Sequence, residues 1–326
     1  MDRNTVGKDT FVRHLTTPVT MTARIRVQSA GRRGVVLALP GGETVKASVS
    51  GVVYRDSGGP VCGDVVEAVP ESPRWRVTSI AERTSVLTRT SPLGKPQVLA
   101  ANIDRVLVVA SICSPALRRG FLDRVLASAE HTGLNCSVVL NKTDLAADPE
   151  AASLTEIQRV YGDGAGYRVL TVSAKTGMGM EQLSTFIEGQ TVVLTGPSGA
   201  GKTSVAMLLN PRLDLAVGAL NQKTSRGRHT TVAARLLHLW GDTWMMDTPG
   251  LRAFSIEHIP AGELWLCFPE FRGLEPCRYR NCLHDSEPGC PVRDGVASGS
   301  IDRERYDSYL KLLGEIREGR PGGVRE

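Results

Sequence analysis

From residue 23 to about residue 90, short β-prone runs at 23–27, 34–39, 44–49 and 64–68 alternate with glycine turns at Gly31, Gly41–Gly42 and Gly58–Gly59. Short strands so closely punctuated predict a small all-β barrel. A five-stranded OB-type barrel over 21–92 fits this length, although the pattern alone does not separate it from an SH3-like barrel. After Pro96 the texture changes: apolar runs at 105–110, 137–140, 168–172, 191–194 and 244–246 are separated by amphipathic stretches such as 121–131. That alternation predicts an α/β domain with a largely parallel sheet, assigned to 93–254. Beyond Leu251 the chain turns Cys-, Pro- and Arg-rich. It closes with an amphipathic helix over 301–318, marked by Tyr306, Tyr309, Leu310, Leu312 and Leu313. The segment 255–326 is therefore expected to be a mainly helical third domain. Residues 1–20 lack periodicity and are expected to form a mobile basic arm, and 320–326 a frayed tail.

Composition narrows the class. The 326 residues exceed what one core usually organises, and 41% apolar with 22% charged residues is ordinary for a globular protein. No run approaches the ~18 apolar residues of a membrane span, and the first twenty residues lack a signal-peptide core, so the cytoplasm is the expected compartment. The net charge is +5, and residues 1–90 hold 13 Lys and Arg against 8 Asp and Glu. The whole positive excess thus lies in the N-terminal third, an offset that can steer a domain toward phosphate backbones. Four of seven cysteines crowd between Cys267 and Cys290, whereas Cys62, Cys113 and Cys136 lie in apolar, strand-like segments and are expected to be buried thiols. In a reducing compartment the cluster points to metal binding rather than disulfides.

The run Gly196-Pro197-Ser198-Gly199-Ala200-Gly201-Lys202-Thr203 matches G-x-x-x-x-G-K-[ST] and follows the apolar run 191–194, with helix-prone sequence starting at Ser204. This is a P-loop in its proper context. Its glycines let backbone N–H groups close around phosphates, Lys202 reaches the β- and γ-phosphates, and the Thr203 hydroxyl ligates Mg²⁺. Asp247-Thr248-Pro249-Gly250 ends a second strand, where the carboxylate can meet Mg²⁺ and the Gly250 N–H can face the γ-phosphate. Asn141-Lys142-Thr143-Asp144 ends a third. A carboxylate at Asp144 can accept from guanine N1–H and N2–H₂ together, which adenine lacks, so GTP is favoured over ATP. Lys142 would lay its stem along the purine and Asn141 would brace the neighbouring loops. Ser173-Ala174-Lys175 supplies the companion loop for guanine O6.

The order of these motifs is informative. In ordinary GTPases the P-loop comes first, D-x-x-G next, then N-K-x-D and S-A-K. Here N-K-x-D and S-A-K precede the P-loop, so the cyclic order is kept while the cut has moved. The chain continues directly from D-x-x-G into the C-terminal domain, wiring suited to converting nucleotide state into movement of that domain. Within Gly227-Arg228-His229-Thr230-Thr231, either Thr230 or Thr231 can complete Mg²⁺ coordination. Leu251 stands where many GTPases carry a water-orienting Gln, which makes His229 the candidate catalytic residue. The competing reading leaves His229 as a surface residue and hydrolysis slow. Cys277, Cys282, His284 and Cys290 form the ligand set of a closed, structural tetrahedral zinc site, and Cys267 reads as core.

With barrel, permuted motifs and Cys₃His segment in this order, the chain resembles the RsgA (YjeQ) family of small-ribosomal-subunit maturation GTPases over about residues 20–310. The resemblance rests on Gly227–Thr231, Asp247–Gly250 and Cys277-Arg278-Tyr279-Arg280-Asn281-Cys282-Leu283-His284 continuing through Pro288-Gly289-Cys290. Ala200 stands where family members often have Val, and Thr203 where many have Ser. The resemblance implies a monomeric protein that binds the small ribosomal subunit and its rRNA late in assembly, with GTP turnover stimulated by the subunit and followed by release. Two other classes compete: a non-hydrolysing, GTP-gated RNA-binding switch, drawing on Leu251, and a DNA-binding zinc regulator, which ignores four nucleotide motifs.

Overall fold

The computed structural model describes residues 25–31, 34–90, 96–146, 148–211, 234–247 and 254–319. Strands β1 (Ile25–Gly31), β2 (Gly34–Ala38), β3 (Thr44–Val49), β4 (Val65–Glu71) and β5 (Arg74–Ile80) close into a barrel in the order β1-β2-β3-β5-β4, with β1 paired back to β4 and β3 parallel to β5. This is the OB-type alternative of the two. Helix α1 (Gly51–Ser57) bridges β3 and β4, with Ser50 as N-cap and Gly58 in the left-handed region, φ 71°, as C-cap. Val27, Leu37, Ala47, Val66 and Val77 fill the barrel, one face of each strand pointing inward.

Strands β6 (Val86–Thr90) and β7 (Pro96–Ala101) form a two-stranded ribbon between the barrel and the central sheet. The sheet is built from β8 (Arg105–Ser111), β9 (Cys136–Asn141), β10 (Arg168–Thr171), β11 (Thr191–Thr195), β12 (Arg235–Trp240) and β13 (Thr243–Asp247), in the order β10-β9-β8-β11-β13-β12. Every neighbouring pair is parallel except β12–β13. Residues Val106–Val109 and Val138–Leu140 are fully buried, as expected when helices cover both faces of a parallel sheet. Those helices are α2 (Arg119–His131), α3 (Asp148–Ile157), α4 (Met180–Phe186) and α5 (Lys202–Leu209). Cys62 and Cys136 are buried as expected, but Cys113 is partly exposed because it lies beyond the end of β8, where the chain has left the sheet.

The barrel is fastened to the sheet through polar groups. Arg26 of β1 is buried and donates to Thr191 Oγ1 at the start of β11 (2.9 Å), with Asp242 at 3.5 Å. Gly63 (φ 88°) sits so close to the Ala101 carbonyl that a Cβ would collide with it, and Asn102 Nδ2 donates to the Gly63 carbonyl at 3.1 Å.

The C-terminal module contains a 3₁₀ turn at Ala261–Cys267 and helices α6 (Pro269–Arg272), α7 (Pro291–Ser298) and α8 (Arg303–Arg317), around Phe268, Phe271, Tyr309 and Leu312. Its anchor on α2 is a buried charge cluster. Arg305 of α8 donates to Asp123 Oδ1 of α2 (2.7 Å) and to both oxygens of Glu270 (2.7 and 3.1 Å), while lying over the rings of Tyr161 and Phe268. Tyr161 donates to the same Asp123 oxygen at 2.7 Å from a π-helical turn, Gln158–Gly164, a rare widening of the helix. Burial works against the charge on Arg305, but Asp123 and Glu270 outweigh it and hold the guanidinium protonated. Removing one partner from such a cluster strands a buried charge, at a cost of about 3–5 kcal/mol. Arg119, Arg124 and Arg272 add ion pairs to Glu304, Glu315 and Glu130 across the same seam.

Candidate functional site

The carboxyl ends of β9, β10, β11 and β13 carry Asn141, Ser173, Gly196 and Asp247, so motifs far apart in the chain meet along one edge of the sheet. Gly196 (φ 152°) lies against the Val109 carbonyl of β8 too closely for any Cβ, and Gly199 and Gly201 adopt φ 78° and 90°. These backbone angles turn the loop from β11 into α5, whose first residue is Lys202. The Lys202 ammonium curls over the start of the loop, 2.8 Å from the carbonyls of both Gly196 and Pro197. Ala200 is fully buried, while Thr203 and Ser204 are exposed on the first turn of α5.

Asn141 joins three of the motifs. Its Nδ2 donates to the Ala200 carbonyl of the P-loop at 2.9 Å, and its Oδ1 accepts from the Ala174 N–H at 3.0 Å. Gly201 passes so near Nδ2 that a side chain there would displace the amide. Lys142, at φ 65°, aims its ammonium at the Ser114 carbonyl beyond β8. Asp144 Oδ1 accepts from Ser173 Oγ at 2.6 Å, and that hydroxyl accepts from Thr176 N at 3.1 Å, which fixes the carboxylate. Thr143 faces the other way, tying its hydroxyl to the Val172 carbonyl at 3.0 Å. A cavity of about 280 Å³ lies between these groups, lined by Ser114, Asn141, Lys142, Asp144, Leu145, Ala174, Lys175, Gly201 and Ser204. Burial raises the Asp247 carboxyl above the usual range, with Arg235, its register partner on β12, acting in the opposite direction. His229, Thr230, Thr231 and Gly250 lie outside the described residues, as does Leu251.

A second constellation lies in the C-terminal module. His284 Nδ1 is 3.5, 3.7 and 3.3 Å from the sulfurs of Cys277, Cys282 and Cys290, and Cys277 Sγ is 4.0 Å from Cys290 Sγ. Tetrahedral zinc with ordinary Zn–S and Zn–N bonds has edges of about 3.8 Å (S···S) and about 3.5 Å (S···N), so the donor set fits that ion. His284 holds φ 58°, and the turn around it is clamped from α8: Tyr306 donates to the His284 carbonyl at 2.7 Å and Tyr309 to the Leu283 carbonyl at 2.6 Å. Burial alone would raise Glu287, but N–H groups of Leu283, Asp285 and Ser286 point at its carboxylate and bring it down to about 2.

The profile of the RsgA GTPase family matches residues 80–257 of this architecture. The small ribosomal subunit biogenesis GTPase RsgA of Gemmatimonas aurantiaca is 39% identical over 284 residues, 84% of this chain and 91% of that protein. The chain belongs to the RsgA GTPase family. Its counterpart from Azotobacter vinelandii, of the same description, is 39% identical over 72% of this chain and 68% of its own length. Among solved structures, YjeQ from Thermotoga maritima superposes with a TM-score of 0.77 at 28% identity, covering 93% of this chain and 99% of that one. YloQ, described as a circularly permuted GTPase, shares the fold at a TM-score of 0.74. This RsgA-family chain is therefore a GTP-hydrolysing P-loop enzyme, and its family implies GTP and Mg²⁺.

Sequence motifs did not point to Ser114 or Leu145 as cavity residues. Ser114 meets Lys142 through its carbonyl, which no side-chain pattern encodes, and its proximity to Lys142 depends on β8 pairing with β9. With Asp144 as the candidate guanine acceptor, Asp144→Asn should weaken GTP binding by about 1–3 kcal/mol, because the amide would turn a donor toward guanine donors. Equal affinity of the parent for GTP and ATP, measured by competition, would remove the guanine assignment from Asp144.

Proposed function

We propose that this GTPase of small ribosomal subunit biogenesis holds guanine in the 280 Å³ cavity between Asp144 and Gly201 and uses GTP hydrolysis to time its release from the subunit. The convergence of Asn141, Asp144, Ser173 and the P-loop on one cavity supports this reading most directly. Asp144, fixed by Ser173, would accept from guanine N1–H and N2–H₂, with Lys142 alongside the purine and the Ala174–Lys175 backbone near O6. The N–H groups of 196–201 and Lys202 would bind phosphates. Thr203, Asp247 and one of Thr230 and Thr231 are the residues that would hold Mg²⁺, which when bound would supply neutralising charge to the phosphates. The barrel and the Cys-rich module are proposed rRNA-contacting surfaces. We assign the protein to the cytoplasm as a monomer; among the described residues no helix is long and apolar enough to cross a membrane.

The non-hydrolysing switch rests on Leu251 alone and is not favoured by membership of a GTPase family. Leu251 does imply slow basal turnover, of order ~10⁻⁴–10⁻² s⁻¹ as for unassisted GTPases. Stimulation of ~10²-fold by the subunit needs only about 2.7 kcal/mol of transition-state stabilisation, within reach of one histidine orienting the attacking water. His229→Ala should then keep nucleotide and subunit affinity but lose most of the stimulated rate in single-turnover assays with purified small subunits. Stimulation equal to the parent's would make His229 a bystander.

The Cys₃His cluster is proposed to hold one structural zinc through Cys277, Cys282, His284 and Cys290. Four protein donors fill a tetrahedral shell and leave no position for chemistry. Chelation should unfold the C-terminal module while the G domain still binds nucleotide. Elemental analysis finding less than about half an equivalent of zinc in normally folded protein would contradict the assignment.

A further inference from the structure

A second cavity, of about 460 Å³, opens at the amino ends of β8, β9 and β10, the edge of the sheet opposite the nucleotide motifs. Strands of this length separate the two edges by ~20 Å. Three arginines line it: Arg105 and Arg168, the first residues of β8 and β10, and Arg272 of α6 in the C-terminal module. Their convergence does not follow from a basic composition, because outside residues 1–90 the chain has 26 Lys and Arg against 26 Asp and Glu. Glu130 pairs with Arg272 at the cavity wall. Among the described residues neither Arg105 nor Arg168 forms an ion pair.

Arg105 is positioned before any ligand arrives. Its Nε donates to Gln190 Oε1 at 3.0 Å, its Nη1 to Ser137 Oγ at 3.2 Å, and its guanidinium lies 4.6 Å from the centre of the Phe186 ring. Two nitrogens and one face are thereby committed, which leaves Nη2 as the group available to a ligand. Burial works against its charge, so a nearby anion would be favoured. Ser137, the acceptor for Arg105, is also the register partner of Arg168, so the two arginines flank one residue of β9. Arg168 is exposed, free to turn its fork toward a ligand in the cavity. Arg105 and Arg168, the two without a carboxylate partner among the described residues, repel each other until an anion joins them, and guanidinium forks match phosphate geometry in particular.

We propose that this cavity is a second anion site, separate from the P-loop, which binds a small phosphate ester or polyphosphate between Arg105 and Arg168, with Arg272 at its rim. The concave shape and the volume suit a small phosphorylated molecule; a nucleic-acid backbone would need a groove or a ridge. Because Pro269 and Arg272 of α6 line it together with Glu130 of α2 and the strand ends, a ligand there also bears on the seam between the C-terminal module and the G domain.

The test uses the full-length protein saturated with Mg²⁺ and a non-hydrolysable GTP analogue, so that the P-loop is filled. Inorganic pyrophosphate is then titrated by calorimetry at constant ionic strength. The expected result is one further equivalent bound, weakened at least about tenfold in both Arg168→Glu and Arg105→Gln, with affinity for the GTP analogue unchanged. Arg168 is on the surface, so Arg168→Glu should melt like the parent and keeps the test open even if Arg105→Gln folds poorly. Absence of pyrophosphate binding beyond the filled P-loop overturns the proposal, as does equal binding by the parent and Arg168→Glu.

Discussion

One buried amide, that of Asn141, is the constraint on which the nucleotide site depends. The permuted chain places N-K-x-D and S-A-K before the P-loop, so no local stretch of backbone brings the three loops together. The parallel sheet sets them on one edge, but adjacent strand ends still leave their loops free to splay. Asn141 closes that freedom by donating to Ala200 and accepting from Ala174, and it is 1% exposed. Breaking a bond of this kind leaves the buried Ala200 carbonyl and the half-buried Ala174 N–H without their partners, and for the buried carbonyl that costs more than the bond itself contributes. Gly201 belongs to the same constraint, since only a residue without a side chain lets the P-loop pass this close to the amide.

The permutation makes a second demand. A chain cut after D-x-x-G must continue directly from that motif into another domain, and that domain needs an anchor. Phe254 is buried in the main core, and the Ser255 carbonyl accepts from Ser128 of α2 at 3.0 Å, so the connection is held as soon as the described chain resumes. Arg305 then locks α8 to Asp123 of the same helix. The module therefore rides on α2 as well as following D-x-x-G, and any nucleotide-driven movement has to act through this seam. On the other side, Arg26 and Gly63 tie the barrel to β11 and to the strand leading into β8, so the barrel too is referred to the sheet that carries the P-loop.

The chemistry was more legible in the sequence than the joints. Phosphate and guanine binding need particular residue types in short runs, and such runs survive any reordering of the chain, which is why Lys202, Asp144 and Asn141 could be named as candidates before the fold was known. The cysteine spacing likewise shows a donor set before the fold is known. Buried charge was not legible. Nothing in the sequence pattern singles out Arg26, Asp123 or Arg305, because periodicity marks apolar positions only, yet Arg305 lies in the buried face of an amphipathic helix otherwise found from Tyr306, Tyr309, Leu312 and Leu313. Its partner Asp123 is 182 residues away, and only tertiary structure pairs them. The fifth strand of the expected barrel, β5, is not marked by an apolar run of its own, because Arg74, Trp75 and Arg76 interrupt it, although Val77 is fully buried in the barrel.

The role given to Asn141 can be measured by the affinity of Asn141→Ala for GDP, with a thermal melt to establish that the variant is folded. Losing both bonds should cost about 2–3 kcal/mol of loop organisation, a fall in affinity of about 30- to 150-fold. A folded variant that binds GDP within about twofold of the parent would contradict the account, because the three loops would then be held together by the sheet alone.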